Sequence, residues 1–271
     1  MKLQIKRLVV QFFSLIAINL GFIKQMKTGF CYPFLYCNSC PAATSGCPIR
    51  AIEKSLYDHS FSWKLLVYPI LILGFFGITT GRAVCGWACP IGLLQRAVGK
   101  VPRYLKKKIP LFRRINQWEG ERFLRYLKYV TLFSLVIVSP FFFGFMFTDI
   151  CPIGTFVGTL PTLFLNPSKF APNPFFWIAI IFFVLFFLLI LLVERGWCRY
   201  FCPVGAILAP FNKVSYLSVS VNIEGCIHCD VCSDVCPMGI NVPEMNRDPE
   251  CILCGKCIDA CPKKLIKFKR S

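Results

Sequence analysis

The sequence predicts a mainly α-helical membrane protein: four transmembrane helices form two parallel repeat halves, and a small α+β domain with two clusters follows. Three observations lead to this prediction. The chain of 271 residues is 56% hydrophobic, with a mean hydropathy of +0.60. It contains 17 cysteines, and it ends in two copies of the pattern C-x2-C-x2-C-x3-C-P. The composition is typical of integral membrane proteins, and the repeated spacing is typical of iron–sulfur ligands.

The first predicted transmembrane helix is the apolar run at residues 8–23, which follows the positively charged start MKLQIKR. A signal peptide has similar features, but no small-residue cleavage site follows, so a retained helix is favoured. The other three are predicted at Trp63–Thr80, residues 129–147 and residues 175–193. Each is about long enough to cross roughly 30 Å of hydrocarbon.

The loop charges predict the orientation of these helices. Residues 82–128 contain twelve Lys and Arg against two acids, whereas residues 149–174 contain a single Lys. Because basic loops remain in the cytoplasm, we expect both termini and the C-terminal domain to be cytoplasmic in a multi-pass protein of the cell membrane. The basic linker, residues 99–122, has the composition of an interfacial helix against anionic lipid; a docking surface for an acidic partner is the alternative. No nucleic-acid motif accompanies the charge, so no nucleic-acid partner is expected.

The C-terminal repeat reads CIHCDVCSDVCP and, further on, CILCGKCIDACP. This is the bacterial ferredoxin pattern, in which three close cysteines bind one [4Fe-4S] cluster and the distant fourth binds the other. Zinc ribbons and disulfides are the alternatives, but neither needs a triple repeat followed by proline. The predicted ligands of site 1 are Cys226, Cys229, Cys232 and Cys261, and those of site 2 are Cys236, Cys251, Cys254 and Cys257.

A second pattern, C-x3-C-P-x-G, follows the second and fourth predicted helices. On the opposite side, a single C-P step follows the first and third. The order helix, C-P, helix, C-x3-C-P therefore occurs twice, which predicts a parallel repeat whose axis brings equivalent residues together. Proline is suited to the first turn of a helix, so each of these cysteines is expected where a short helix begins.

The repeat predicts two further clusters. We call the first the inner site and the second the outer site, which gives four [4Fe-4S] clusters in total. Zinc is the alternative for the inner site, and disulfides are the alternative for the outer site. Cys31 is left without a partner. The inner site consists of Cys85, Cys89, Cys198 and Cys202, and the outer site consists of Cys37, Cys40, Cys47 and Cys151.

With these motifs, the chain resembles the membrane-bound polyferredoxin family that includes NapH-type quinol dehydrogenase subunits, the iron–sulfur domain of NosR, and CcoG. The resemblance implies electron transfer, and it implies quinol oxidation only by analogy. The predicted units are a first membrane half, the basic linker, a second membrane half and a ferredoxin domain. They comprise residues 1–98, 99–122, 123–218 and 219–271.

The favoured function is electron transfer across the membrane between a cytoplasmic redox partner and an outer-face acceptor, through the four clusters. Two histidines and no C-x2-C-H motif argue against haem. One alternative is a quinol dehydrogenase subunit that feeds a periplasmic reductase in a larger membrane complex. It would need a bound quinone and a proton acceptor, for which the candidates are Glu53, Asp58, His59 and Asp149.

The other alternative is a copper reductase or assembly factor, in which Cys31, Cys37 and Cys40 would bind the metal. Soft thiolates suit Cu(I). The sequence has no Met-rich or His-rich cluster, which argues against this alternative.

Overall fold

The computed structural model of this chain describes residues 2–21, 31–37, 43–57, 61–108, 120–165, 174–245 and 247–270. Cys40 of the predicted outer site lies outside the described residues. So do Asp58 and His59, two of the candidate proton acceptors.

Helices dominate both of the predicted halves. In the first half and the basic linker they are Lys2–Ile18, Pro48–Ser55, Trp63–Thr80, Ala83–Trp87, Pro90–Val98 and Lys100–Lys108. In the second half they are Gly120–Leu124, Leu127–Val130, Thr131–Val138, Ser139–Phe143, Phe147–Ile150, Pro152–Gly154, Thr155–Thr159, Leu160–Leu165, Phe176–Leu192, Gly196–Tyr200, Pro203–Leu208 and Pro210–Lys213. Of these, Thr131–Val138 and Thr155–Thr159 have π-helical hydrogen bonding, and Pro210–Lys213 is a 3-10 turn.

The long helices agree closely with two of the four predicted segments. Trp63–Thr80 has the predicted bounds, and Phe176–Leu192 is one residue shorter at each end than predicted. The third prediction differs, because the helix that starts at Leu127 ends at Phe143. Gly144 caps it in the left-handed conformation, φ 62°, and a residue without a Cβ adopts this conformation at little cost. The first helix begins at Lys2, before the apolar run.

By length and composition, one helix among the described residues, Trp63–Thr80, meets the requirement for crossing a bilayer. Leu127–Phe143 and Phe176–Leu192 are apolar but shorter. The outward surfaces of these helices carry large exposed apolar side chains. They include Leu71, Phe75, Phe133 and Trp177, each more than 60% exposed.

The C-terminal domain has the α+β structure that the sequence predicts. Two antiparallel strands, β1 (Leu217–Val221) and β2 (Ile266–Arg270), pair at its two ends, with Val221 opposite Ile266. Between them lie two short helices, Val231–Asp234 and Lys256–Ala260, one within each cysteine motif. The strands therefore join the beginning and end of the domain, and the cysteine loops lie between them.

Candidate iron–sulfur sites

The four cysteines of the inner site are buried, each between 6% and 8% exposed. Cys89 and Cys202 immediately precede the helices Pro90–Val98 and Pro203–Leu208, with proline in the first turn of each, as predicted. Burial raises the pKa of Cys202, and the neighbouring thiolates of Cys198 and Cys85 raise it further. The same two neighbours add to the effect of burial on Cys89. The structure thus brings thiols of both halves together.

At this site, one arginine from each half forms hydrogen bonds with the cysteine loop of the other half. Arg195 of the second half donates to the carbonyl oxygens of Cys85 (3.1 Å) and Gly92 (3.1 Å) in the first half. Arg82 of the first half donates to the carbonyl oxygen of Cys198 (3.1 Å) in the second. Both arginines are almost completely buried. Each half therefore fixes the cysteine loop of the other.

These arginines were missed by the sequence analysis, although a signal was present. Both copies of the motif read R-x2-C-x3-C-P-x-G, beginning at Arg82 and Arg195. Arg195 also adopts a left-handed backbone, φ 57°, which is uncommon for a residue with a Cβ and is concentrated at functional sites.

Amide donors point at the sulfur atoms of the inner site. The side-chain Nε2 of Gln95 lies 3.2 Å from the Sγ of Cys198, and the backbone N–H of Gly205 donates to the Sγ of Cys202 at 3.4 Å. Such hydrogen bonds favour a negatively charged sulfur. The surroundings of the four thiols therefore suit an anionic group.

The first helix is mostly apolar, but one of its faces carries a row of polar side chains. Arg7 and Gln11 both donate to the carbonyl oxygen of Gly86, and Ser14 donates to that of Ala88. Gln4 donates to the carbonyl oxygen of Cys254. These residues recur every three or four positions and share one helix face, a periodicity the sequence analysis did not use.

The ferredoxin cysteines divide into the two predicted groups. Site 1 lines a cavity with an empty volume of about 420 Å³, and site 2 lines one of about 360 Å³. Cys229 of site 1 is exposed, whereas Cys254 of site 2 is buried. The first cavity contains Cys226, Cys229, Cys232 and Cys261, and the second contains Cys236, Cys251, Cys254 and Cys257.

The two ferredoxin loops repeat one unusual backbone. His228 and Asp230 in site 1 have φ of 48° and 51°, and the equivalent Leu253 and Gly255 in site 2 have φ of 47° and 69°. Three of these four residues carry a Cβ, which disfavours this conformation. Alternating left-handed residues turn backbone N–H groups toward one point, where they bind anions. The same arrangement in both loops supports a common role.

Site 2 lies directly against the inner site. A Cβ added to Gly86 would lie 2.2 Å from the carbonyl oxygen of Ile252, so only glycine fits between Cys85 and Cys89 at this point. The indole Nε1 of the next residue, Trp87, donates to the carbonyl oxygen of Leu253 at 2.9 Å. The loop that carries Cys251 and Cys254 is therefore fixed on the loop that carries Cys85 and Cys89.

Three of the four outer-site cysteines meet. Cys37, Cys47 and Cys151 line a cavity with an empty volume of about 400 Å³. Cys47 and Cys151 precede the helices that begin at Pro48 and Pro152, as predicted. Cys31 does not line this cavity, but it pairs with Gly46, the residue before Cys47.

The outer site also joins the two halves. Arg50 forms an ion pair with Asp149 at 2.6 Å, and Thr148 donates to the carboxylate of Glu53 from its backbone and its hydroxyl. Glu53 is fully buried. Burial raises its pKa to about 7, against the opposing effect of the hydrogen bonds from Thr148.

Each of these sites brings together cysteines from two separate segments of the chain. None of the described cysteines forms a disulfide.

The charges around the inner site and site 2 favour a bound group with negative charge. Five cations are buried there against two carboxylates, and uncompensated buried charge is costly. Thiolate-bound clusters supply negative charge. The cations are Arg7, Arg82, Lys128, Arg195 and Arg199, and the carboxylates are Glu121 and Glu250.

Comparison with known proteins agrees with this chemistry. Residues 61–111 and 175–219, which contain the four cysteines of the inner site, match the 4Fe-4S binding domain family. An uncharacterized protein of Methanocaldococcus jannaschii is 30% identical over 207 residues, covering 76% of this chain and 78% of that protein. The ferredoxin-type protein NapH of Escherichia coli is 23% identical, and the methylamine utilization ferredoxin-type protein MauN of Methylobacillus flagellatus is 26% identical.

The chain belongs to the NapH-type family of ferredoxin-type iron–sulfur proteins. It spans about 60% of the length of the MauN relative and 59% of the NapH relative, and both matches cover 70% of this chain. No solved structure matches it. Within this NapH-type chain, the assignment of individual cysteines to clusters stays a prediction. The cysteine groups described above define which residues each predicted cluster would use.

Proposed function

We propose that this NapH-type protein transfers electrons across a membrane, between a cytoplasmic redox partner and an acceptor at the outer face. The observation that carries the proposal is the contact between site 2 and the inner site, through Gly86 and Ile252 and through Trp87 and Leu253. It orders the four sites as site 1, site 2, inner site and outer site. When bound, each [4Fe-4S] cluster would accept and donate single electrons.

The transfer between site 2 and the inner site depends on how the ferredoxin domain is docked. Arg82 donates to the carboxylate of Glu250 and to the carbonyl oxygen of Pro249, just before Cys251. Asn212 donates to the carbonyl oxygen of Cys251 at 2.6 Å. These buried bonds hold the cysteines of site 2 and the inner site in one fixed arrangement, so transfer between them needs no domain movement.

The proposed entry point is site 1, because Cys229 is exposed and the apolar side chains beside it reach solvent. Ile227 is 59% exposed and Ile223 is 60% exposed. A cytoplasmic carrier that docks here would approach site 1 without disturbing the buried inner site.

The proposed crossing runs alongside the helix Trp63–Thr80, which lies in the chain between Cys47 of the outer site and Cys85 of the inner site. At 1.5 Å per residue, a helix of this length measures about 27 Å, close to the thickness of the hydrocarbon layer. The apolar exposed surface of the long helices supports a position in lipid, with the basic linker at the cytoplasmic face. Between the two sites, the helix that begins at Pro48 contacts the helix that begins at Pro203, so protein links the outer and inner sites along this path.

The test is transport in liposomes that contain the iron-loaded protein. A reductant is added on the ferredoxin side, and an impermeant acceptor is trapped on the other. We expect iron and acid-labile sulfide for four clusters and reduction of the trapped acceptor. An iron content equal to two clusters, with no reduction of the acceptor, would contradict the proposal.

A second candidate function, quinol oxidation, is favoured by one specific cleft. It has an empty volume of about 1170 Å³ and lies between the start of the Leu127 helix and the ferredoxin domain. Tyr126 and Tyr129 line it from the membrane half, and Met245, which also lines the cavity of site 2, lies opposite. Glu244 and Asp248 are carboxylates in the cleft that could accept protons.

The two functions differ in the electron donor that reduces the clusters. A quinol-dependent protein would reduce its clusters when a short-chain quinol is added without any reductant on the ferredoxin side. We expect Tyr129→Ala to weaken that reaction and to leave dithionite reduction unchanged, because the tyrosine lines the cleft but is not among the assigned ligands. If quinol fails to reduce the wild-type protein, this second function is excluded.

A further inference from the structure

We infer that the inner site accepts electrons from the ferredoxin domain, because Arg195 and Gln95 make its cluster easier to reduce than the two ferredoxin clusters. The inference rests on the proposed function and adds a direction to it: electrons run from the ferredoxin domain into the membrane halves.

Arg195 is the main source of positive charge. Its side chain is 1% exposed and bonds to two carbonyl oxygens, those of Cys85 and Gly92. Among the described residues, no carboxylate forms an ion pair with it. A buried charge without a carboxylate partner acts more strongly on its surroundings than an exposed one, because water screens it less. Adding an electron beside it is therefore favoured.

Arg82 occupies the equivalent position in the other half but is partly neutralised. It forms an ion pair with Glu250 at 2.8 Å, and Lys128 contacts the other oxygen of the same carboxylate. Two buried cations thus share one carboxylate, which leaves an excess positive charge on this side of the inner site as well. Gln95 adds a hydrogen bond to the Sγ of Cys198. Hydrogen bonds to ligand sulfurs and nearby charge both set the potentials of iron–sulfur clusters.

At the ferredoxin sites, the nearby charges are screened by solvent, paired with carboxylates or shared with the inner site. At site 1, Asp230 and Lys263 both line the cavity, they carry opposite charges, and both are exposed to solvent, which screens them. At site 2, Lys256 lines the cavity but is paired with Glu194 at 2.6 Å, and buried Arg199, which donates to the carbonyl oxygen of Pro237 beside Cys236, is paired with Glu121 at 2.8 Å. Arg82 and its partner Glu250 lie beside Cys251 of site 2 as well as beside the inner site, and Arg7 lies near both Cys254 and Arg195. The difference between the sites therefore comes mainly from Arg195 and Gln95.

The experiment is an anaerobic redox titration of the full-length, iron-loaded protein, monitored by EPR. The inner-site signal is identified as the one missing from Cys198→Ala. We expect it to appear at higher potential than both ferredoxin signals. An inner-site signal at equal or lower potential overturns the inference but leaves the proposed function intact. If Cys198→Ala loses no signal, the proposed function itself fails at this site.

Variants separate charge from folding. Arg195→Gln should shift the inner-site signal to lower potential, and Arg195→Lys should shift it less because the charge is kept. Gln95→Leu should also lower it, without changing any charge. Arg103→Gln is the control, because Arg103 is 42% exposed, and it should leave the potential unchanged. If Arg195→Gln fails to retain iron, the wild-type titration and the potential of Gln95→Leu still test the inference. An unchanged potential in an iron-loaded Arg195→Gln would refute the role of this charge.

Discussion

Gly86 and Ile252 lie in backbone contact: a Cβ on Gly86 would be 2.2 Å from the carbonyl oxygen of Ile252. Gly86 belongs to the inner-site loop and Ile252 to the loop of site 2. Two cysteine motifs that are far apart in the chain are therefore as close here as two backbones allow. This contact fixes which ferredoxin site is nearest to the membrane halves.

We predict that Gly86→Ala separates the two loops and slows reduction of the inner site from the ferredoxin domain. The new methyl group meets backbone atoms that cannot rotate away, and overpacking of this kind costs about 1–3 kcal/mol. Rapid-freeze EPR after reduction on the ferredoxin side gives the rate, and thermal unfolding gives the stability loss.

The matched control is Gly74→Ala, in the helix Trp63–Thr80. A Cβ there has no atom within 4 Å, and alanine favours a helix over glycine. We expect this variant to be neutral or slightly stabilising. Equal rates in Gly86→Ala and Gly74→Ala would show that the loop contact does not control the transfer.

Cys198→Ala should remove the iron of one cluster and leave the ferredoxin pair intact. Three thiols of the inner site would remain, too few for the four-cysteine ligation assigned here. Iron and sulfide analysis, with EPR of the reduced protein, measures the loss. Cys31→Ala is the control and should lose no iron, because Cys31 is not assigned to a site. Purified protein with zinc at this site would instead support the zinc alternative.

The spacing of the cysteines predicts how they are grouped, but it does not predict which other residues hold their loops in place. The spacing alone separates site 1 from site 2, and the two C-x3-C-P motifs indicate a shared inner site. Arg195 was missed although an arginine precedes both copies of the C-x3-C-P motif, because its partners are the backbone carbonyl oxygens of Cys85 and Gly92, which the sequence does not single out. The docking of Ile252 on Gly86 was missed for the same reason.

Helix ends were predicted less well than helix centres. The run at residues 129–147 continues as apolar sequence past the point where Gly144 ends the helix, so hydropathy alone did not find the boundary. The polar stripe on the first helix, which includes Gln11 and Ser14, interrupts an apolar run and looks like weakened hydropathy. In the structure it is the face that bonds to the inner-site loop.

Glu53→Gln should remove part of the pH dependence of stability. Because burial raises the pKa of Glu53 to about 7, the folded protein holds a proton on this group that the unfolded chain releases above about pH 4.5. The contribution of Glu53 to stability is therefore fully present at pH 4, declines as pH rises to about 7, and is then constant. Glutamine resembles the protonated acid, so the variant should not show this decline.

The size of the effect follows from the shift, at 1.36 kcal/mol per pKa unit, and is about 3 kcal/mol at most. Unfolding of the iron-loaded wild type and Glu53→Gln, compared at pH 5 and pH 7.5, isolates this group from others that titrate. Lys54→Gln, which changes the neighbouring residue, is the control. A difference between wild type and Glu53→Gln that is the same at both pH values would show that Glu53 has an ordinary pKa.

The last prediction concerns Cys151, which lies buried in the outer cavity with Cys37 and Cys47. We predict that Cys151→Ser blocks reduction of an acceptor trapped on the outer side, while the cytoplasmic clusters are still reduced. The reason is the placement of the ligands: among the assigned cysteines, only those of the outer site lie beyond the inner site on the proposed path to the outer face. Cys31→Ser is the control, because Cys31 is not assigned to a cluster and does not line the cavity. Unchanged transfer in Cys151→Ser would mean that electrons leave before the outer site, and quinol or quinone in the cleft beside Tyr126 and Met245 would then be the exchange partner.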